Sequence, residues 1–193
     1  MTDSQNETPA AQSLAKDGDE VSRCLFAASR KIDIARYHFS ELCGQLGRAS
    51  AGEALPPIPV QAHFEGVVVC VVAAEEKVKE ALRSAYGVSR DDERECKRLY
   101  SAFARKLPAL AKWYANALLG DIRDVRNLAI HQHYEKKLVT EGGPAPVWEV
   151  DKPAITKYRG PRELKKYGQS AVEIGAALIG LVPQIEELLR RER

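Results

Sequence analysis

From Glu20 to about Leu46 the chain carries an apolar residue at steps of four and three in strict alternation: Val21, Leu25, Ala28, Ile32, Ala35, Phe39, Leu42 and Leu46. That spacing draws one apolar stripe along about seven turns of helix. Arg23, Arg30, Lys31 and Glu41 take the opposite face, and Tyr37 and His38 lie off the stripe, with His38 read as a partly exposed helix histidine. Residues 1–19, rich in Ser, Thr, Gln, Asn, Asp and Glu, show no such stripe and are expected to form a disordered tail. Gly47 to Pro59, ending Pro56-Pro57-Ile58-Pro59, reads as a loop whose prolines stop any helix running through. Val60 to Tyr86 contains the β-branched run Val67-Val68-Val69-Cys70-Val71-Val72, which would suit a buried strand. The apolar pattern nevertheless continues through Ala74, Val78, Ala81, Leu82 and Ala85, and Gly87 falls where a helix C-cap wants it. The stretch is therefore assigned to a helix.

Ser89-Arg90-Asp91-Asp92 offers an N-cap and an acidic first turn for a short helix running through Arg105. Pro108 then opens a second long helix, expected to continue to about Lys137. Leu138 to Val150 alternates around a Gly-Gly-Pro turn, which predicts a small hairpin or extended excursion anchored by Trp148. After a basic segment holding Lys152, Lys157, Arg159, Arg162, Lys165 and Lys166, a last helix repeats the stripe in Ala171, Ile174, Leu178, Leu181, Ile185 and Leu188, with Pro183 expected to kink it. The fold class is all-α: an antiparallel bundle of four long helices plus a short helix, with the excursion before the last helix, over residues 20–191.

Composition adds limits. At 193 residues, 45% hydrophobic and 29% charged, the chain has the balance of a soluble domain able to bury roughly 70% of its unfolded surface. Its longest uncharged apolar run, Gly66 to Ala74, is shorter than the roughly 20 residues of a membrane-spanning helix, so no membrane association is expected. No basic region followed by an apolar one opens the chain, so a cytoplasmic location is expected. Cys24, Cys43, Cys70 and Cys96 are scattered without a C-x-x-C pair and read as reduced thiols. A net charge of +2 leaves any nucleic-acid contact to local charge. The basic segment from Lys152 to Lys166 either follows an RNA backbone or is a solvated loop.

Chemistry concentrates in Asp121 to Tyr134, DIRDVRNLAIHQHY, where two arginines, an asparagine, two histidines and a tyrosine crowd together. On the helix from Pro108, Leu107, Leu110, Ala111, Tyr114, Leu118, Ile122, Val125, Leu128 and Ala129 form the side expected to pack inward. A second stripe of heptad spacing runs Trp113, Ala117, Gly120, Asp124, Asn127, His131 and Tyr134. Its small residues and its tryptophan predict a self-associating face, with Trp113, Ala117 and Gly120 at the homodimer contact; the plainer alternative is a solvated helix side. Arg126 lies beside that stripe, about 140° from His131 but only about 20° from His133. Arginine can hold a phosphate bidentately and histidine can move a proton near neutral pH. Arg126, Asn127 and His131 are the favoured catalytic set, with His133, Tyr134, Arg123 and Asp124 in support. His131 and His133 could share a zinc ion, but no Cys or carboxylate stands at ligand spacing, so neither metal nor other cofactor is expected.

The order Arg126-Asn127-x-x-x-His131 near the end of a long bundle helix resembles the signature of HEPN domains, the higher eukaryote and prokaryote nucleotide-binding family. The resemblance covers most of residues 20–191 and rests on those three positions; His133 also fits the looser family spacing of four to six residues. It implies a homodimer whose paired motifs form a metal-independent ribonuclease site acting on RNA, in a phage-defence or toxin–antitoxin setting with an antitoxin or regulatory protein as a further partner. The family's toxin branch has a tyrosine two residues after the histidine, whereas this chain has His133 there and Tyr134 one residue later. The resemblance equally admits a noncatalytic module that binds a nucleotide or a protein partner.

Overall fold

The computed structural model describes residues 9–51, 53, 57–131, 136–139, 147–150 and 162–192, with side chains over 20–51, 53, 58–127 and 164–192. The architecture is an all-α bundle. Its helices are α1 (Pro9–Ser50), α2 (Pro57–Tyr86), α3 (Glu93–Lys106), α4 (Pro108–Tyr114), α5 (Ala117–His131), α6 (Leu164–Gly180) and α7 (Val182–Glu192).

The stripe on α1 packs as its spacing dictates: Val21, Leu25, Ala28, Ile32, Ala35, Leu42 and Leu46 are buried, and Phe39 packs partly buried against them. The helix starts earlier than expected. From Pro9 the backbone is already helical, while residues 1–8 of the expected tail lie outside the described residues. At its other end α1 runs on to Ser50, into the expected loop, and the proline segment both separates it from the next helix and begins that helix. Pro57 and Pro59 occupy the first turn of α2, where backbone N–H groups have no intrahelical partner and a missing donor costs nothing.

α2 is the axis of the bundle and packs against α1, α3, α5 and α6. Val60, Phe64, Val67, Val68, Cys70, Val71, Val72, Ala74, Val78, Ala81 and Leu82 are all buried on it. Contact on several sides explains how a β-branched run holds a helix: burial of apolar area outweighs an intrinsic preference worth a few tenths of a kcal/mol per residue. Among the described residues, Ile58–Tyr86 is also the one helix long and apolar enough to cross a membrane. Its place at the centre of the bundle accounts for that composition.

Helix ends follow local chemistry. Gly87 closes α2 at φ +62, and the Asp92 carboxylate caps α3 by accepting from the Glu95 N–H at 2.9 Å. Pro108 opens α4, but the long helix expected to run to Lys137 divides. α4 ends at Tyr114, and the Asn116 side-chain oxygen accepts from the Leu118 N–H at 3.0 Å to begin α5. An asparagine that caps N–H groups by itself competes with a continuous helix. The last helix divides too, at Leu181, with Pro183 in the first turn of α7. The kink expected at Pro183 is a break.

The excursion is a hairpin: β1 (Lys136–Val139) pairs antiparallel with β2 (Val147–Val150), and β3 (Arg162–Glu163) adds to the far side of β2. The anchoring role expected of the Trp148 side chain, and the basic segment up to residue 161, lie outside the described residues. Cys24, Cys70 and Cys96 are buried, Cys43 is half-buried, and all four are free thiols.

Gly87 supplies a conformation that a side chain resists. Gly87→Ala should lower stability by about 1 kcal/mol in a denaturant titration; an unchanged midpoint would show that the α2–α3 connection can close without a left-handed residue.

Candidate functional site

Glu75 is 0% exposed, the one buried charged residue among those described. It stands on α2 amid apolar neighbours, where an unpaired carboxylate would cost several kcal/mol. Two cations answer it. Arg123 of α5 approaches side-on, Nε donating to Oε2 at 2.9 Å and Nη2 donating to Oε1, and Lys79 one turn along α2 lies 2.8 Å from Oε1. Lys79 also reaches Glu76 at 2.9 Å and sits over the Tyr100 ring, while Arg83 donates to the Tyr100 hydroxyl. Burial works against the charged forms of Lys79 and Arg123, but the Glu75 carboxylate outweighs it and raises both. Burial, reinforced by the Glu75 charge, pushes the Tyr114 hydroxyl upward, so it stays protonated. That hydroxyl is buried without a hydrogen-bond partner among the described residues.

This network refines one expectation. Arg123, expected in support of the Arg126, Asn127 and His131 set, is turned onto Glu75 by a bidentate contact at the α2–α5 interface, so any support it gives is by positioning the helix. The sequence did carry a signal for Glu75, since Phe64, Val68, Val71, Glu75, Val78 and Leu82 follow one another at steps of four and three. Glu75 occupies a core position of that stripe.

Arg126 behaves differently. At 100° per residue it continues the inward line of α5, about 40° from Ile122 and about 20° from Leu119. It is only half-buried, however, and its Nη1 donates to the Asn127 Oδ1 at 3.0 Å. The guanidinium thus leans toward the exposed side, where Asn127 stands. No carboxylate pairs with Arg126 among the described residues. Asn127 is exposed, and Ala117 and Gly120, also exposed, precede it on the same strip, with Asp124 half-buried beside them. A Cβ added at Gly120 would meet nothing within 4 Å.

Trp113 leaves that strip. It is 6% exposed, and its indole Nε1 donates to the Ile174 carbonyl of α6 at 2.8 Å. The break at Ala115 and Asn116 resets the helical phase, so the interface expected of Trp113, Ala117 and Gly120 together loses its tryptophan to the core. The same reset buries Leu119 fully and leaves Leu118 only partly buried. His131 is the last residue of α5; its side chain, and all of His133 and Tyr134, lie outside the described residues.

No family model, curated protein or solved structure matches the chain.

Removing one member of a buried pair leaves the other uncompensated. Glu75→Gln should therefore lower stability by about 3 kcal/mol, while replacing Glu75 and Arg123 together by Leu and Met should recover most of it. Urea unfolding of the two variants checks this; a Glu75→Gln protein as stable as the parent would remove the pair's role in holding α5 on α2.

Proposed function

We propose that the chain is a metal-independent RNA endonuclease of HEPN type, acting as a homodimer with a composite site where two α5 helices meet, in a phage-defence or toxin–antitoxin setting. The observation that carries the reading is the contrast between two arginines on α5. Arg123 is tied to a buried carboxylate, whereas Arg126 is held, among the described residues, by its neighbour Asn127 and lies at the rim of the exposed Ala117, Gly120, Asn127 strip. A guanidinium held by an amide oxygen keeps its full charge and several N–H donors for a phosphate.

The chemistry follows from the residue types. A histidine, His131 in this reading, accepts the 2′-hydroxyl proton as that oxygen attacks phosphorus, and the bond to the 5′-oxygen breaks. The partner subunit's His131 returns a proton to the departing oxygen, and Arg126 stabilises the charge gathering on the non-bridging oxygens. Asn127 fixes the guanidinium. The products are a 2′,3′-cyclic phosphate and a free 5′-hydroxyl. Small residues at Ala117 and Gly120 let a second backbone approach, so that each subunit brings the same groups to one cleft.

Single-stranded RNA incubated with purified protein in EDTA should be cut to cyclic-phosphate ends. Arg126→Ala and His131→Ala should each reduce the rate by roughly 10²–10⁴-fold, with His133→Ala milder. Absence of cleavage on every RNA tried would favour a noncatalytic module that binds a nucleotide or protein partner. Sedimentation should give a dimer that Gly120→Arg disperses; a strict monomer at high concentration would end the composite-site reading.

A further inference from the structure

Toward the N-terminal end of α2 a half-buried polar pair borders the core. His38 of α1 and His63 of α2 bring their Nδ1 atoms to 3.1 Å, with ring centroids 5.4 Å apart and planes inclined by 51°. The Tyr37 ring stands edge-on to both, at 5.6 and 6.5 Å. Gly66, one turn after His63, makes the arrangement fit: a Cβ there would lie 2.7 Å from two atoms of the His38 ring. A glycine inside a helix is destabilising relative to alanine, so the space it leaves for the imidazole has a cost that the packing of His38 offsets. The pair lies about 18 Å along α2 from Glu75, counting 1.5 Å per residue.

We propose that His38 and His63 form a binding site for a late first-row divalent cation of the Zn²⁺, Ni²⁺ or Cu²⁺ class, coordinated through both Nδ1 atoms. Metal–imidazole bonds of about 2.0–2.1 Å set the ligand nitrogens about 3.3 Å apart at a tetrahedral angle and about 2.9 Å apart at a right angle. The observed separation lies between those values, so the two helices already hold the bite of a chelate. In the metal-free pair one Nδ1 donates to the other, so one ring carries its proton on Nδ1 and its partner on Nε2. Binding moves the first ring to the Nε2–H tautomer and frees both lone pairs, with no net change in protons. Both rings are half-buried, so water completes the coordination sphere.

A rival ligand set, Glu20, Cys24 and Glu80, has donor atoms within 4.8 Å of one another. Burial first, and then the Glu80 charge, push the Cys24 thiol up to about 11, and Lys77 already sits 2.6 Å from the Glu80 carboxylate. A protonated thiol and a neutralised carboxylate are poorer ligands than two neutral imidazoles.

The test is thermal unfolding of the full chain with Zn²⁺ or Ni²⁺ added, alongside copper electron paramagnetic resonance. The ion should raise Tm by about 7 °C at a hundredfold excess over its Kd, and Cu²⁺ should show two equivalent nitrogen ligands. His63→Gln, which leaves the packing of His38 over Gly66 in place, should abolish both signals. Cys24→Ser and His131→Ala should retain them. A shift that survives His63→Gln, or one that disappears in Cys24→Ser or His131→Ala, would overturn the assignment, as would no shift at millimolar metal. Cleavage in EDTA tests the nuclease reading separately, because this site is not part of it.

Discussion

A carboxylate sealed from water inside an apolar helix must be neutralised where it stands, and the rest of the molecule is arranged around how this one is. Glu75 draws Arg123 inward from α5 and Lys79 back along α2. A bidentate guanidinium contact has direction as well as charge, so α5 is fixed against α2 in rotation as well as in distance. Arg123 lies between its neighbours on the helix, about 60° from Arg126 and about 40° from Asn127. Holding Arg123 on Glu75 therefore sets where both motif residues stand. Leu119, Ile122 and Val125 pack the same side of α5 into the core, and the Arg123–Glu75 contact adds a directional restraint to that packing.

Much of the fold could be read from spacing because the reading needed only local order. The α1 stripe names its buried residues nearly one for one, and the helical assignment of Val60 to Tyr86 survives a β-branched run because the apolar period continues past it. The failures occur where a single residue decides. Asn116 is a weak breaker in a pattern dominated by leucine and alanine, yet its side chain supplies a cap, and the helix restarts with a new phase. That one event moves Trp113 from an expected interface into the core. Pro57 and Pro59 do keep one helix from running through, but spacing alone does not show that they also begin the next.

The proposed motif can be written down from sequence for the opposite reason: Arg126, Asn127 and His131 are close in sequence and share one helix. The residue that orients them was hidden among Glu75, Glu76, Lys77, Lys79 and Glu80, a run that looks like a solvated helix face. Only its position on the core stripe separates Glu75 from Glu76. Its partner lies 48 residues away, beyond anything spacing can connect.

α2 thus carries two polar interruptions of its apolar surface, and they differ in kind. Glu75 meets cations from α5 and from its own helix, and the charge is balanced within the fold. His63 meets a second imidazole, a group that can be donor or acceptor, and the pair balances itself only while both rings are neutral. The first is a fixed joint, because no proton or ion has to arrive to complete it. The second is a contact between two half-buried rings whose donor and acceptor roles depend on the tautomer, so an external cation can take the place of the shared proton. One core helix thus uses charge to fix one neighbour and an imidazole pair to meet another.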